Sequence, residues 1–218
     1  MNQENMLNRI AMLLSRFSEN VRIKNANGEF SINVHAENAL IKLLNVVLGC
    51  NLENVNYVEN KQFPSIDLRD KSKRIAIQVT SDESLAKVKD CLKKFLENGL
   101  DKDYDTLYII MLVRKQRSYS KTSIDKARKN FPFSCDNILD MGDLYKILNA
   151  RNSLEDIEIV LKYLEEQFSD KFEYDVYQKY YNDLEEYDDS IVRQYEYVDI
   201  SGYSPRINTL VNAKYSVP

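Results

Sequence analysis

Met6, Leu7, Ile10, Leu13, Leu14 and Phe17 recur at three- and four-residue spacing, which predicts an amphipathic helix over about residues 3–19. Val21 to Phe30, with Asn25, Asn27 and Gly28, lacks that period and reads as a connection with a short extended piece. A second helix over about 32–48 carries Leu40, Leu43, Leu44, Val47 and Leu48, and Gly49 follows, suited to the left-handed turn that closes a helix. From Phe63 to Thr80 the pattern shortens to two strands around a charged turn. Asp82 or Ser84 then caps a helix over about 84–98, whose inner face is Leu85, Val88, Leu92 and Phe95. Leu107 to Val113 is almost continuously apolar, as expected for a strand covered on both faces, and is placed at the centre of the sheet. A short helix over about 121–130, a strand over Asn137 to Met141 and helices over 143–150 and 153–168 complete the series. Helices, a hairpin, and then strands alternating with helices predict an α/β sandwich around a small mixed sheet.

Composition sharpens this picture in three places. The 218 residues are 44% apolar, enough for one core with an appended segment. The net charge of -4 conceals an asymmetry: residues 61–130 hold 17 Lys or Arg against 10 Asp or Glu, whereas residues 151–200 hold 5 against 15. The middle of the chain can therefore meet phosphate while the end repels it, although Lys89, Lys93, Lys94, Lys126, Arg128 and Lys129 are equally readable as solvated helix faces. Arg114-Lys115-Gln116-Arg117 puts a basic cluster directly at a strand end. Beyond Phe168 the chain turns acidic and rich in tyrosine, read as a helical extension over about 171–190 followed by an extended tail.

Several classes are excluded. Cys50, Cys91 and Cys135 are odd in number and widely spaced, which argues for buried thiols and against a disulfide framework or a zinc knuckle. No apolar run approaches the roughly 20 residues that cross a bilayer, and a soluble cytoplasmic protein is expected. A glycine-rich phosphate loop and a GxSxG elbow are both missing, and the single histidine, His35, cannot build most metal or triad sites.

Candidate chemistry concentrates on the hairpin. Asp67 and Gln78 lie near its two ends, so pairing of the strands brings an acid and an oxygen donor together at one end of the sheet, the arrangement that holds a divalent ion beside a phosphate. On the second helix Glu37 shares a face with Ile41, Leu44 and Leu48, where a carboxylate is costly to bury without a cation or strong donors. Plainer explanations stand beside these: Asp67 can bond backbone amides at a strand end, Gln78 can be a satisfied polar group in the sheet, and Glu37 can pair with a lysine.

The order of these features resembles the PD-(D/E)xK, restriction-endonuclease-like superfamily. Glu37 matches the glutamate of its first core helix, Pro64-Ser65-Ile66-Asp67 the strand of the essential aspartate, and Ile77-Gln78-Val79-Thr80 the strand of the (D/E)xK element. More narrowly, Val34-His35-Ala36-Glu37-Asn38, Phe63-Pro64-Ser65-Ile66-Asp67 and Ile75-Ala76-Ile77-Gln78-Val79-Thr80-Ser81-Asp82 resemble the SMEK domain, an N-terminal module of bacterial conflict and antiphage proteins. The resemblance covers about residues 3–168 and implies a restriction-endonuclease-like sandwich with extra N- and C-terminal helices. It implies Mg²⁺ or Mn²⁺ held by Asp67, Gln78, the Val79 carbonyl and Glu37, DNA as substrate, and phosphodiester hydrolysis. Thr80 departs from the pattern because it stands where the superfamily has a lysine; Lys87, near the start of the next helix, is the candidate replacement, and Lys73 and Arg74 lie towards the opposite hairpin end.

Residues 1–168 are thus expected to form a nuclease-like domain, and 169–218 an acidic extension. Tyr197 to Pro218 resembles the segment that leads into NACHT-type NTPase domains, which implies an N-terminal piece of a longer sensor whose self-association gathers several copies. The competing expectation is a catalytically inactive nuclease-like module for recognition or assembly, and a third has the tyrosine-rich tail as the working surface.

Overall fold

A computed structural model describes residues 2–58 and 65–168. In chain order the elements are α1 (Gln3–Ala26), α2 (Ser31–Leu48), β1 (Glu53–Asn54), α3 (Val55–Val58), β2 (Leu68–Asp70), β3 (Ile75–Thr80) and α4 (Leu85–Glu97), followed by β4 (Thr106–Met111), α5 (Lys121–Arg128), β5 (Ile138–Asp140), α6 (Met141–Arg151) and α7 (Leu154–Phe168). The fold is mixed α/β. Its five-stranded sheet runs β1-β2-β3-β4-β5 in space, antiparallel for the first two pairings and parallel for the last two. Parallel neighbours need a crossover, and α4 and α5 supply the two.

Alternation along the strands divides the core between the two faces of the sheet. Leu68, Ile77, Val79, Ile110 and Leu139 pack with α1, α2, α6 and α7 through Leu13, Leu40, Leu44, Leu148 and Leu161. Ala76, Ile109, Met111 and Ile138 pack instead with α4 and α5 through Val88, Leu92, Phe95 and Ile124. Each fully buried Leu, Ile or Phe contributes about 1.5–3 kcal/mol, so both layers are anchored by several independent contacts. Phe17 of α1 stacks on Phe168 of α7 with ring centroids 4.6 Å apart, and Phe95 of α4 meets Phe131 at 5.0 Å. Among the described residues no helix is long and apolar enough to cross a membrane.

Several expectations need correction. Helix α1 does not stop near residue 19 but runs to Ala26, because Val21, one turn beyond Phe17, is wholly buried and prolongs the apolar row. Strand β4 is not the centre of the sheet; β3 is, although β4 is paired on both sides and covered on both faces as its apolar run requires. The two-residue β1 and the single turn α3 have no counterpart in the periodicity, since neither is long enough to show one. Cys91 is buried, but Cys50 and Cys135 are only half-buried. Phe63, Pro64 and the whole of 169–218, including the expected helix over 171–190 and the Tyr197 to Pro218 segment, lie outside the described residues.

Candidate functional site

The hairpin register decides which side chains meet. Leu68 pairs with Ile77, Arg69 with Ala76 and Asp70 with Ile75. Asp70 locks the turn by accepting from Ser72 Oγ at 2.6 Å, Lys73 N at 3.0 Å and, from the neighbouring segment, Asn51 N at 2.7 Å. These donors, Ser72 first, hold its carboxyl down at about 2. The pairing continues one residue past β2, where Asp67 N donates to Ile77 O at 2.8 Å, and so places Asp67 beside Gln78.

Asp67 and Gln78 are joined directly. A single oxygen, Asp67 Oδ2, accepts from Gln78 Nε2 at 2.6 Å and from Val79 N at 2.7 Å, while the same Nε2 also donates to Val79 O at 3.0 Å. The amide therefore spans two oxygens, a carboxylate and a carbonyl, with its own Oε1 left for another partner. Burial pushes the Asp67 carboxyl up to about 7, and the Glu37 charge pushes the same way; Val79 N–H, the Lys87 ammonium and Gln78 oppose the rise.

Glu37 approaches from α2. Its Oε2 accepts from Asn54 Nδ2 at 3.3 Å, and that buried amide also reaches Asn38 Oδ1 at 3.0 Å. Asn54 Oδ1 in turn accepts from Asn56 N at 3.0 Å, and between them Val55 N donates to Asp67 O at 2.9 Å, which ties the Glu37 partners to the Asp67 backbone. Desolvation raises the Glu37 carboxyl, with Asn54 and Asn56 acting against it. Asn54 and Asn56 were not anticipated; the alternation Asn54-Val55-Asn56 around a wholly buried valine was the available signal.

The remaining candidates divide clearly. Thr80 is 7% exposed and its Oγ1 accepts from Asp82 N at 3.1 Å, so the hydroxyl closes the turn after β3. Lys87 sits half-buried in the first turn of α4, where Ser84 Oγ caps its backbone N–H at 3.1 Å, and its ammonium is the cation that acts on Asp67. Lys73 bonds Gly49 O and Arg74 pairs with Asp105 at 2.8 Å, both at the far end of the hairpin. His35 is exposed.

Whether these groups suit a divalent cation follows from their chemistry. Asp67, Glu37, the Gln78 amide oxygen and the Val79 carbonyl are all hard oxygen donors, the class that Mg²⁺ and Mn²⁺ take. No group of three His, Cys, Asp or Glu is assembled among the described residues, so there is no closed carboxylate cage. Mg²⁺ is characteristically held by one or two carboxylates with the rest of its shell from water and phosphate, and two acids that burial raises, Asp67 also by the Glu37 charge, fit that need.

Comparison with curated proteins and with solved structures gives no match. The profile of the SMEK domain family matches residues 9–149, a span that runs from α1 to α6 and includes Glu37, Asp67, Gln78, Thr80 and Lys87. The chain belongs to the SMEK domain family.

Proposed function

We propose that this chain is a metal-dependent nuclease-type effector that hydrolyses DNA phosphodiesters, acting in the cytoplasm within a bacterial antiphage defence protein. The observation that carries the reading is the knot of Asp67 Oδ2, Gln78 Nε2 and the Val79 peptide beside Glu37. Val79 N–H and Gln78 fix the carboxylate, Glu37 is held by Asn54, and Lys87 supplies positive charge where the superfamily's lysine is replaced by Thr80. A bound Mg²⁺ or Mn²⁺ would polarise the scissile phosphate and make water a stronger nucleophile. The defence setting, and self-association through an NTPase outside this chain, rest on the family resemblance alone.

A second reading is a catalytically inactive module for recognition or assembly, and Thr80 favours it. Its hydroxyl oxygen accepts from Asp82 N in the turn after β3, and the position carries no positive charge. Plasmid digestion separates the two. Under the first reading the wild type nicks or linearises DNA with Mg²⁺ or Mn²⁺, and Asp67→Ala loses about a hundredfold or more of that rate. Intact plasmid in both reactions would support the inactive module.

A further inference from the structure

Outside the Asp67 site, two exposed arginines, Arg114 and Arg117, lie on the loop that leaves β4. Strands β3 and β4 are parallel, with Thr80 opposite Met111 and Leu112 N bonded to Thr80 O at 2.8 Å, so this loop emerges at the same end of the sheet as Gln78 and one strand away. Ligands of open α/β sheets collect at the carboxyl ends of parallel strands.

The loop is fastened at both ends. Lys115 Nζ pairs with Asp143 at 2.7 Å and donates to Ile138 O at 2.8 Å, while its backbone N donates to Asp140 Oδ2 at 3.1 Å. Tyr119 is buried against the α4–α5 layer, and its hydroxyl accepts from Gln116 N at 3.3 Å and donates to Glu83 O at 2.9 Å, in the turn that follows β3. Between these anchors Arg114 and Arg117 are exposed, and among the described residues neither has an ion pair. Arg114 lines an open cleft of about 420 Å³ together with Ser15 and Ser18 of α1 and Tyr145 of α6. Of the nearby acids, Asp140 accepts from Asp143 N and Lys115 N and Asp82 from Ser84 N at 2.9 Å, while Glu83 is exposed in the turn after β3. A short loop therefore crosses the sheet end from the α1 side to the α5 side, presenting two guanidiniums on a fixed backbone.

We infer that Arg114 and Arg117 form a phosphate clamp that holds the DNA backbone across the sheet end, beside the strand carrying Gln78. The inference rests on the nuclease reading for its choice of ligand, but binding is measured apart from cleavage. Guanidinium forks match phosphate oxygens in pairs, and a backbone pinned by Lys115 and Tyr119 loses little freedom when they engage.

The test is fluorescence anisotropy of a labelled 30-base-pair duplex with the full chain in EDTA, over 50–200 mM salt. Arg114→Ala/Arg117→Ala is expected to bind about tenfold more weakly at 100 mM, with the slope of log affinity against log salt reduced by about 2. Lys126→Ala/Lys129→Ala removes the same charge from the far end of α5 and is expected to change affinity less than about threefold. Unaltered melting temperatures exclude misfolding, and the single Arg117→Glu variant serves if the double variant melts early. The clamp is overturned if the wild type binds no duplex, if the arginine pair can be removed without loss, or if the two double variants weaken binding equally. Plasmid cleavage with arginine-independent binding would sink the clamp and leave the nuclease reading standing. Arginine-dependent binding without cleavage would do the reverse.

Discussion

At the scale of single residues, Asp67 shows how a site opposes the fold that carries it. An unfolded aspartate loses its proton near 3.8, whereas the folded one keeps it to about 7, so folding stability falls as pH rises between these values and remains lower above them. Both hydrogen bonds reach one oxygen, Oδ2, and an amide oxygen accepts them equally well. Asp67→Asn should therefore raise the stability of the metal-free protein by roughly 1–3 kcal/mol at pH 8, seen as a higher melting temperature in EDTA, with almost no gain at pH 4. Asp70 behaves oppositely. Its carboxyl is held at about 2 by Ser72 and backbone donors, so its contribution is complete above pH 3.8 and disappears as pH falls through 3.8 towards 2. Asp70→Ala should cost about 2–3 kcal/mol in urea titrations at pH 7 and far less at pH 2.5, because three bonds to a charged acceptor are lost.

At the scale of elements, the two sides of the sheet depend on different anchors. Phe95 is wholly buried on α4 and tilts against Phe131, so Phe95→Ala should destabilise the chain by about 3–5 kcal/mol, measured by chemical denaturation. The helices were legible because their apolar rows, such as Val88, Leu92 and Phe95, repeat over several turns. Helix α1 was read short because Ser18, Glu19 and Asn20 dilute the row just before Val21 restores it. The hairpin's period of two and its charged turn were enough to predict that Asp67 and Gln78 lie together. The network around Glu37 was not readable, since it depends on a two-residue strand that carries Asn54 across from α2, a long-range placement with no local period. Thr80 was visible as a departure, but its bond to Asp82 is a matter of the turn that follows β3.

At the scale of the whole molecule, charge is unevenly spread over the helices on the two sides of the sheet. Its α4–α5 side carries Lys89, Lys93, Lys126 and Lys129 around an open groove, and Lys93 and Lys94 are paired with Glu97 and Asp90 on the same helix. The opposite layer includes α7, whose Glu155, Asp156, Glu158, Glu165 and Glu166 bear the other sign. Under the nuclease reading, a polyanion would be drawn first to the β4–α5 loop and α4, and the bias would weaken as salt shortens the screening length to about 8 Å at physiological strength.

The stacking of Phe17 on Phe168, with Arg9 bonded to Glu165 at 3.1 Å, also sets an order of events during synthesis. Helix α1 has α2 and α6 to pack against earlier, but it meets α7 only once the described elements between them have been made. Until then its apolar stripe, Ile10, Leu13, Leu14 and Phe17, is an invitation to chaperones, and a stalled or prematurely ended message yields a product with a sticky flank in place of a finished domain.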